Sequence, residues 1–432
     1  MSLRPQGAPP SVSTGSKPNV LFVTPWMPRP TGSGPAMRAY YSLRALSRTY
    51  EPYVLIVGVY ERDNTPEPPP DGATQWKWVG LQWRWDFELV RRGVLFESSA
   101  DRYFDRYEMP SEWRFATDRR VAVAAQAFAG VEFDLIHAFR LYATPYAQPY
   151  AEASPGAVTQ LDLDEVESST RKRLADLCET NGDSRSGRRF RRDAVGCLRV
   201  ERAELSKWGR VLVSSEVERD RLKAVADLAR VDVLPNVYPA RPLPPSREQT
   251  PFRFLFVGQL GYDPNADALR WFVRNMWPLI RERATPEVAF DVVGAGAPRP
   301  LARELKSTAG VRYWGRLDTL DRVYKEAGAV IVPLRAGGGT RIKVLEAFAR
   351  GVPVVATTVG VEGLDVVAGR DLLIADSETD FAAAGLRLAA ETNLRQELRE
   401  NAHHLCEDHY QPEAMAEVLA PSVKIAGAMI DR

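Results

Sequence analysis

The stretch PLRAGGGTRIKVLEAFARGVPVVATTVGVEG, residues 333 to 363, decides how we interpret the rest of this chain. Three consecutive glycines, 337–339, allow the backbone to come close to a ligand, and Thr340 has a side chain that commonly caps the start of a helix. The pattern predicts a helix that begins after Thr340 and ends at Gly351. The apolar run 352–356 then predicts a buried parallel strand.

The start of this predicted helix has the features of an anion-binding site. The first N–H groups of a helix have no partner within it, and Arg341 and Lys343 add positive charge beside them. Gly338 and Gly339 leave room for an anion such as a nucleotide diphosphate. Glu346 follows within the same helix, where its carboxylate could accept hydrogen bonds from the vicinal hydroxyls of a sugar.

A second glycine loop follows the first apolar run of the chain. Residues 20–24 predict a buried strand, and the segment from Pro35 to about residue 49 has helical spacing. Parallel sheets bind ligands at the carboxyl ends of their strands, so Gly32, Gly34 and Arg38 are predicted to face a cleft. A plain tight turn, and an arginine on a solvated helix face, are the alternative interpretations.

Strands and helices alternate through both halves of the chain. This predicts an α/β protein with two doubly wound, Rossmann-like domains facing across a cleft, because a chain of 432 residues is too long for one ordinary core. The predicted divisions are a tail at 1–18, an acceptor-binding domain at 19–238, a proline-rich linker at 239–251, a nucleotide-sugar-binding domain at 252–410, and a C-terminal helix at 411–432 that could cross back to the first domain.

Composition excludes several classes of protein. The 57 basic and 56 acidic side chains balance, so nothing global indicates nucleic-acid binding. Three scattered cysteines and no CxxC spacing argue against a disulfide framework or a zinc site. We find no signal peptide or membrane-spanning run, and therefore expect a cytoplasmic protein.

Several motifs occur in a fixed order and resemble those of glycosyltransferase family 4, the retaining nucleotide-sugar transferases with the GT-B fold. They are LPNV at 234–237, FLFVGQL at 254–260, FDVVGAG at 290–296, VRYWGRL at 311–317 and AVIVPL at 329–334, followed by the glycine-rich segment. The resemblance is good from about residue 230 to 410 and thinner before that.

The resemblance implies a donor site and a set of catalytic residues. The donor site comprises Gly258, Gly338, Gly339, Thr340, Arg341, Lys343 and Glu346. His137, Arg341 and Lys343 are the implied catalytic residues, although the family's histidine commonly lies two positions later, where this chain has Phe139. The family's first glutamate is also missing, because Gly338 stands at its position.

The resemblance also implies the partners of the reaction. The donor is a nucleotide diphosphate sugar, the acceptor is a glycan, a glycolipid or a small molecule, and neither a metal nor another cofactor is needed. The alternative is a non-catalytic GT-B protein that binds a nucleotide sugar or glycan beside another transferase. An epimerase on the same fold is a weaker alternative, since no suitably placed acid/base pair is found.

Three other segments carry charged or aromatic side chains in unusual density. Asp162 and Asp164 mimic a metal-binding DxD motif, but an acidic cluster at a helix start is the simpler interpretation. Two further groups could meet an anionic membrane surface peripherally, or could be a solvated helix face and a half-buried strand: the arginines 185, 188, 189, 191 and 192, and the tryptophans 76, 78, 83 and 85 with Lys77 and Arg84.

Overall fold

The computed structural model describes residues 17–58, 68–80, 110, 113–245, 250–285 and 287–419. Within these ranges the chain forms two parallel sheets, each covered by helices, and the predicted α/β architecture is confirmed. Trp83, Arg84 and Trp85 lie outside the described residues, as do the first 16 residues of the predicted tail. Among the helices described, none is both long and apolar enough to cross a bilayer.

The first sheet has seven strands in the order β3-β2-β1-β4-β5-β6-β7. This is the arrangement of a doubly wound fold, in which the chain reverses direction beside β1 and leaves a crevice there. In chain order the strands are β1 (Asn19–Thr24), β2 (Glu51–Ile56), β3 (Gln75–Trp78), β4 (Leu135–Phe139), β5 (Val158–Asp164), β6 (Arg210–Val213) and β7 (Val231–Val233).

Burial explains why these segments form strands. From Val20 to Thr24 every residue of β1 is buried, and all of β4 is buried as well, as expected for central strands covered on both faces. The covering helices are α1 (Gly34–Leu46), α2 (Asp118–Gln126), α3 (Thr144–Ala153), α4 (Glu167–Thr180), α5 (Ser184–Glu204) and α6 (Glu216–Lys223).

The second sheet has six parallel strands in the order β10-β9-β8-β11-β12-β13. In chain order they are β8 (Phe252–Val257), β9 (Val288–Val293), β10 (Val311–Gly315), β11 (Ala329–Val332), β12 (Val354–Ala356) and β13 (Leu373–Ile374). The helices of this domain are α7 (Asp263–Trp271), α8 (Trp277–Arg283), α9 (Arg299–Ser307), α10 (Asp321–Lys325), α11 (Ile342–Ala349), α12 (Glu378–Ala390) and α13 (Thr392–His409).

The last described helix returns to the first domain. Helix α14 (Pro412–Leu419) packs on α1, where Arg48 Nη2 lies 3.1 Å from Glu413 Oε1. Arg210 Nη2 of β6 donates to the carbonyl of Val418 at 3.0 Å. The chain therefore connects its two domains twice, through the proline-rich linker and through this helix.

Candidate functional site

The two glycine loops meet across the cleft between the domains. Ser33 caps α1, accepting a hydrogen bond from Ala36 N at 3.4 Å, and Gly32 has a φ of +110°. A Cβ added to Gly34 would lie 3.2 Å from Ile342 Cδ1, at the start of α11. The structure thus brings the loop of Gly32 and Gly34 against the glycine-rich loop of the second domain.

Polar contacts hold the domains together beside this meeting point. Arg173 Nη2 of α4 lies 2.7 Å from Glu362 Oε2, and Asn181 Nδ2 donates to Asp267 Oδ1 at 2.7 Å. Arg335 Nη2 donates to Asn181 Oδ1 at 3.0 Å. Through these contacts α4 of the first domain is held against the second domain, so the cleft is closed along this helix.

The predicted cap of α11 is corrected by the structure. Helix α11 begins at Ile342, its N-cap residue is Arg341, and no side chain caps it. The hydroxyl of Thr340 instead faces the first domain, donating to Ser214 O at 3.4 Å. The prediction that Thr340 caps the helix is therefore wrong, because this side chain has a partner in the other domain.

The guanidinium of Arg341 folds back onto the glycine loop. It donates to Gly339 O at 2.8 Å and also to Gly338 O, and the residue is 8 % exposed. It therefore holds the shape of the loop in this conformation.

Lys343 lies under the loop and its side chain is partly buried. Its Nζ donates to Asn265 Oδ1 at 2.7 Å and lies 4.5 Å from the centroid of the Phe256 ring. A Cβ added to Gly258 would lie 2.9 Å from Nζ, so the glycine leaves the space that the ammonium occupies. Burial and, to a smaller extent, the nearby charge of Arg341 together lower the pKa of Lys343 to about 7. This ammonium is poorly compensated and would gain from a bound anion.

Glu346 lies one turn further along α11 and is already hydrogen-bonded. Its Oε1 accepts from the hydroxyl of Tyr238 at 2.9 Å and lies 3.3 Å from Arg350 Nε. Burial raises the pKa of Glu346, although Arg350 and Tyr238 act in the opposite direction. The carboxylate is therefore held in one orientation while one of its oxygens, Oε2, makes none of these contacts.

Gly338 has a structural reason that the sequence did not show. A Cβ at this position would lie 1.9 Å from Thr170 Oγ1 and 2.1 Å from Glu165 Oε2, both in the first domain. Thr170 Oγ1 donates a hydrogen bond to Glu165 Oε2 at 2.7 Å, and Glu165 Oε1 accepts one from Arg140 Nη2 at 2.6 Å. No side chain fits at 338 while the cleft is closed, and a carboxylate of the first domain occupies the space above the loop.

Gly338→Ala is expected to lower the free energy of unfolding by about 1 to 3 kcal/mol, because Glu165 and Thr170 must move or the cleft must open. Chemical denaturation measures the loss. Gly156→Ala is the matched control, since a Cβ at Gly156 meets nothing within 4 Å. Adding Thr170→Ala should recover part of the loss; a Gly338→Ala protein as stable as the control would contradict the closed contact.

Arg38 faces neither a phosphate nor solvent. Its side chain has no exposed surface and forms a two-point ion pair with Asp162, Nε to Oδ2 at 2.9 Å and Nη2 to Oδ1 at 2.7 Å. Nη1 donates to Leu234 O at 2.9 Å and to Asn236 Oδ1 at 3.1 Å. Both sequence interpretations of Arg38 are therefore wrong, because its partners lie on β5 and just after β7, far away in the sequence.

The same contacts correct the interpretation of the DxD-like motif. Asp162 and Asp164 lie at the carboxyl end of β5, before α4 begins. Asp164 accepts from Arg140 Nη1 at 3.2 Å and from Asn236 Nδ2 at 3.1 Å. These carboxylates are bound by arginine and amide donors, which is neither a helix-start cluster nor an open pair of metal ligands.

His137 lies inside the first sheet. It is fully buried in the middle of β4, stacks on Phe22 with ring centroids 5.3 Å apart, and its Nδ1 lies 3.2 Å from Gln160 Oε1. Burial lowers its pKa. A residue without exposed surface cannot touch a substrate in this conformation, so the prediction that His137 is catalytic is corrected.

Sequence reasoning missed Arg140, which stands at the end of the same strand. Its φ is +72°, and that of Asp164 is +63°. Positive φ values are uncommon for residues other than glycine, and such residues occur often at functional sites. The Arg140 guanidinium lies 5.9 Å from the Trp26 ring centroid and is surrounded by Asp164, Glu165 and Glu167. Its position directly after an all-buried strand was the available signal.

The aromatic segment at 76–78 is partly structural. Trp76 and Trp78 are half-buried and alternate with exposed Lys77 along β3. A Cβ at Gly58 would meet the Trp78 ring at 2.5 Å. In the basic stretch, Arg191 pairs with Glu179 on α4 at 2.5 Å. Packing accounts for these described members, and membrane contact stays a prediction.

Two Rossmann-like domains with their glycine loops facing across a cleft define the GT-B fold, and this chain has it. The structure of sucrose-phosphate synthase from Thermosynechococcus elongatus is similar with a TM-score of 0.69 and 15 % identity, over 95 % of this chain and 100 % of that one. Anabaena HepE in complex with UDP and glucose gives 0.61 and 12 %, over 94 % and 100 %. The structure of trehalose-6-phosphate from E. coli bound with UDP-2-fluoro glucose gives 0.62 and 14 %, over 94 % and 99 %. At these identities the similarity shows the fold.

The sequence comparisons match only part of this chain. A family model described as "Glycosyl transferases group 1" matches residues 251–391, the domain of Lys343 and Glu346. A curated relative, the "Uncharacterized 44.6 kDa protein in cps region" of Klebsiella pneumoniae, is 26 % identical over 165 residues. That alignment spans 36 % of this chain and 42 % of the relative.

Proposed function

We propose that this protein is a retaining glycosyltransferase that moves a sugar, such as a hexose, from a nucleotide diphosphate sugar to a glycan, glycolipid or small-molecule acceptor. The match of residues 251–391 to a glycosyltransferase family supports the reaction class. Two structures of similar fold contain UDP and glucose or UDP-2-fluoro glucose, which supports this kind of donor. The observation that carries the proposal is the partly buried, desolvated ammonium of Lys343 beneath a glycine loop in the cleft.

The loop and Lys343 would bind the diphosphate. The N–H of Gly339 already donates to an anionic oxygen, Glu218 Oε1, at 3.4 Å. As the glycosidic bond breaks, negative charge grows on the departing diphosphate, and the preorganised ammonium and backbone N–H groups stabilise that charge. We therefore propose that the reaction needs no metal ion.

Glu346 would bind the hydroxyls of the nucleoside. Its orientation is fixed by Tyr238 and Arg350, so a sugar diol can approach a carboxylate that needs no reorganisation. The acceptor would lie on the side of the first domain, toward Arg140 and Glu165. The acceptor hydroxyl would attack from the side of the leaving diphosphate, which is the proposed proton acceptor.

Glu346→Gln is expected to weaken nucleoside diphosphate binding about 10- to 100-fold, because a hydrogen bond to a charged group contributes about 1.5 to 3 kcal/mol. Equilibrium titration with UDP, GDP, ADP and dTDP measures the change and identifies the base. Glu326→Gln, at an exposed i,i+4 pair with Arg322, is the matched control. Equal affinities of the Glu346→Gln and native proteins would remove Glu346 from the donor site.

The main experiment incubates the native protein with the donor that the titration selects and with candidate acceptors, then measures nucleotide release and sugar transfer. A non-catalytic GT-B protein is the second candidate, favoured by the burial of His137 and by the absence of a side chain at Gly338. That candidate predicts that the protein binds the nucleotide sugar but releases no nucleotide from it, whichever acceptor is added.

Peripheral membrane contact is a separate proposal, tested by sedimentation with anionic vesicles.

A further inference from the structure

A cavity of about 320 Å³ lies behind the cleft, between the interdomain linker and the second domain. It opens at the carboxyl end of α11, while the glycine loop lies at the amino end of that helix. Its size is at the lower end of the range of small-molecule sites. The linker contributes Pro242, Pro244 and Pro245, and the domain contributes the rings of Phe252 and Tyr324.

Basic side chains outnumber acidic ones in the described lining of this cavity. Within the described part of the chain, five basic residues face one acidic residue, Asp321. The basic residues are Arg241, Lys325, Arg350, Arg395 and Arg399. Asp321 Oδ1 is shared by Arg350 Nη1 at 2.7 Å and Arg241 Nη1 at 3.1 Å. One carboxylate therefore serves two guanidinium groups, and Arg350 has Glu346 as a further partner.

Arg399 is the residue that indicates a ligand. It is 7 % exposed, and its Nη1 donates to Gln396 Oε1 at 3.3 Å. Its Nη2 is buried and has no hydrogen-bond partner among the residues that the structure describes. A buried guanidinium N–H without an acceptor costs free energy, and an anion in the cavity would remove that cost.

From the cavity, its arginine-rich lining and the buried Nη2 of Arg399, we propose that this cavity is a second binding site, for a small phosphate monoester. Guanidinium forks match phosphate oxygens with two parallel hydrogen bonds. The proline and aromatic walls suit a compact organic group carrying the phosphate, such as a single sugar ring, and the volume is small for a whole nucleotide sugar.

The site is linked to the cleft through Arg350. This residue lines the cavity, pairs with Asp321 at 2.7 Å, and its Nε lies 3.3 Å from Glu346 Oε1. A phosphate in the cavity competes with both carboxylates for Arg350. If Glu346 binds the nucleoside, which rests on the proposed function, the two ligands change each other's affinity by the same factor.

Calorimetric titration at low ionic strength tests the site, with inorganic phosphate and glucose 6-phosphate as probes and glucose as the uncharged control. All titrations are repeated in the Lys343→Met background, which removes the ammonium of the cleft. We expect glucose 6-phosphate to bind more tightly than phosphate, glucose not to bind, and Lys343→Met to leave the affinity of glucose 6-phosphate within about twofold. Loss of binding in Lys343→Met would place the phosphate in the cleft and overturn the proposal.

Variants of the cavity complete the test. Arg399→Gln is expected to weaken glucose 6-phosphate binding at least tenfold, and Arg241→Gln, at a side chain 56 % exposed, serves if Arg399→Gln fails to fold. Arg387→Gln, an exposed arginine of α12 paired with Glu391, is the matched control. Unchanged affinity in the cavity variants, or no binding of either probe, would overturn the site even if nucleotide binding in the cleft is normal.

Discussion

Lys343→Met is expected to lower sugar transfer by about 100-fold or more while raising the unfolding temperature of the protein. On the proposed function, the loss follows from removing a preorganised cation at the departing diphosphate, for which single donors contribute about 10²- to 10³-fold. The gain follows because methionine fills the space of a buried ammonium without its desolvation cost. Steady-state transfer rates and thermal denaturation measure the two effects on the same sample.

The pH dependence separates this explanation from a packing effect. In the free protein the pKa of Lys343 is about 7, and a bound diphosphate would raise it. Affinity for the diphosphate should therefore be constant below pH 7 and fall as the pH rises above 7, by up to about tenfold per pH unit. In Lys343→Met this fall in affinity should be absent. Identical pH profiles of the two proteins would contradict the assignment of Lys343.

Stability should depend on pH with the sign that linkage requires. The pKa of Lys343 is lowered from 10.5 to about 7 on folding, so the unfolded chain binds more protons between these values. The stability advantage of Lys343→Met should be largest below pH 7 and shrink as the pH rises toward 10.5. Lys306→Met, at an exposed position of α9, is the control and should show neither effect.

Arg38→Met is expected to be among the most destabilising single changes in the first domain, at about 3 to 5 kcal/mol, because it leaves Asp162 charged and buried. Both side chains of this pair have no exposed surface. The change also removes the donors to Leu234 O and Asn236 Oδ1, which connect α1 to the end of the first domain. Urea denaturation measures the loss.

Two controls define the cause. Arg44 lies on the same helix as Arg38 and pairs with Asp71, and both side chains of this pair are at least half exposed. Arg44→Met should therefore cost less than about 1 kcal/mol. The double change Arg38→Met with Asp162→Leu should be more stable than Arg38→Met alone, since no buried charge then lacks a partner. A double variant less stable than the single one would show that the guanidinium acts mainly through its other contacts.

The sequence predicted the fold because the fold depends on local patterns. Buried parallel strands correspond to short apolar runs in the sequence, and glycine and proline occur at the turns between strands and helices. Gly351 shows the success of this reasoning: it lies just after α11 with a φ of +65°, as the predicted helix end requires. The doubly wound order of both sheets follows from the same alternation of strands and helices.

The candidate site was predicted less completely. The sequence indicated Gly258 and Lys343 separately, and the structure places the glycine against the Lys343 ammonium. It gave the wrong environment for Arg38 and His137, because burial and partners depend on packing between strands. Arg140 was missed because its role depends on carboxylates that lie further along the chain.

What the sequence alone determined, then, is the order of elements, the two glycine loops and the residue types near them. Only the tertiary structure decided which side chains share a space. Arg38 and Asp162 are 124 positions apart, and Gly338 is small because Glu165 and Thr170 of the other domain fill the space of its side chain. Local propensity has a range of a few residues, whereas desolvation and ion pairing act between any groups that the fold brings together.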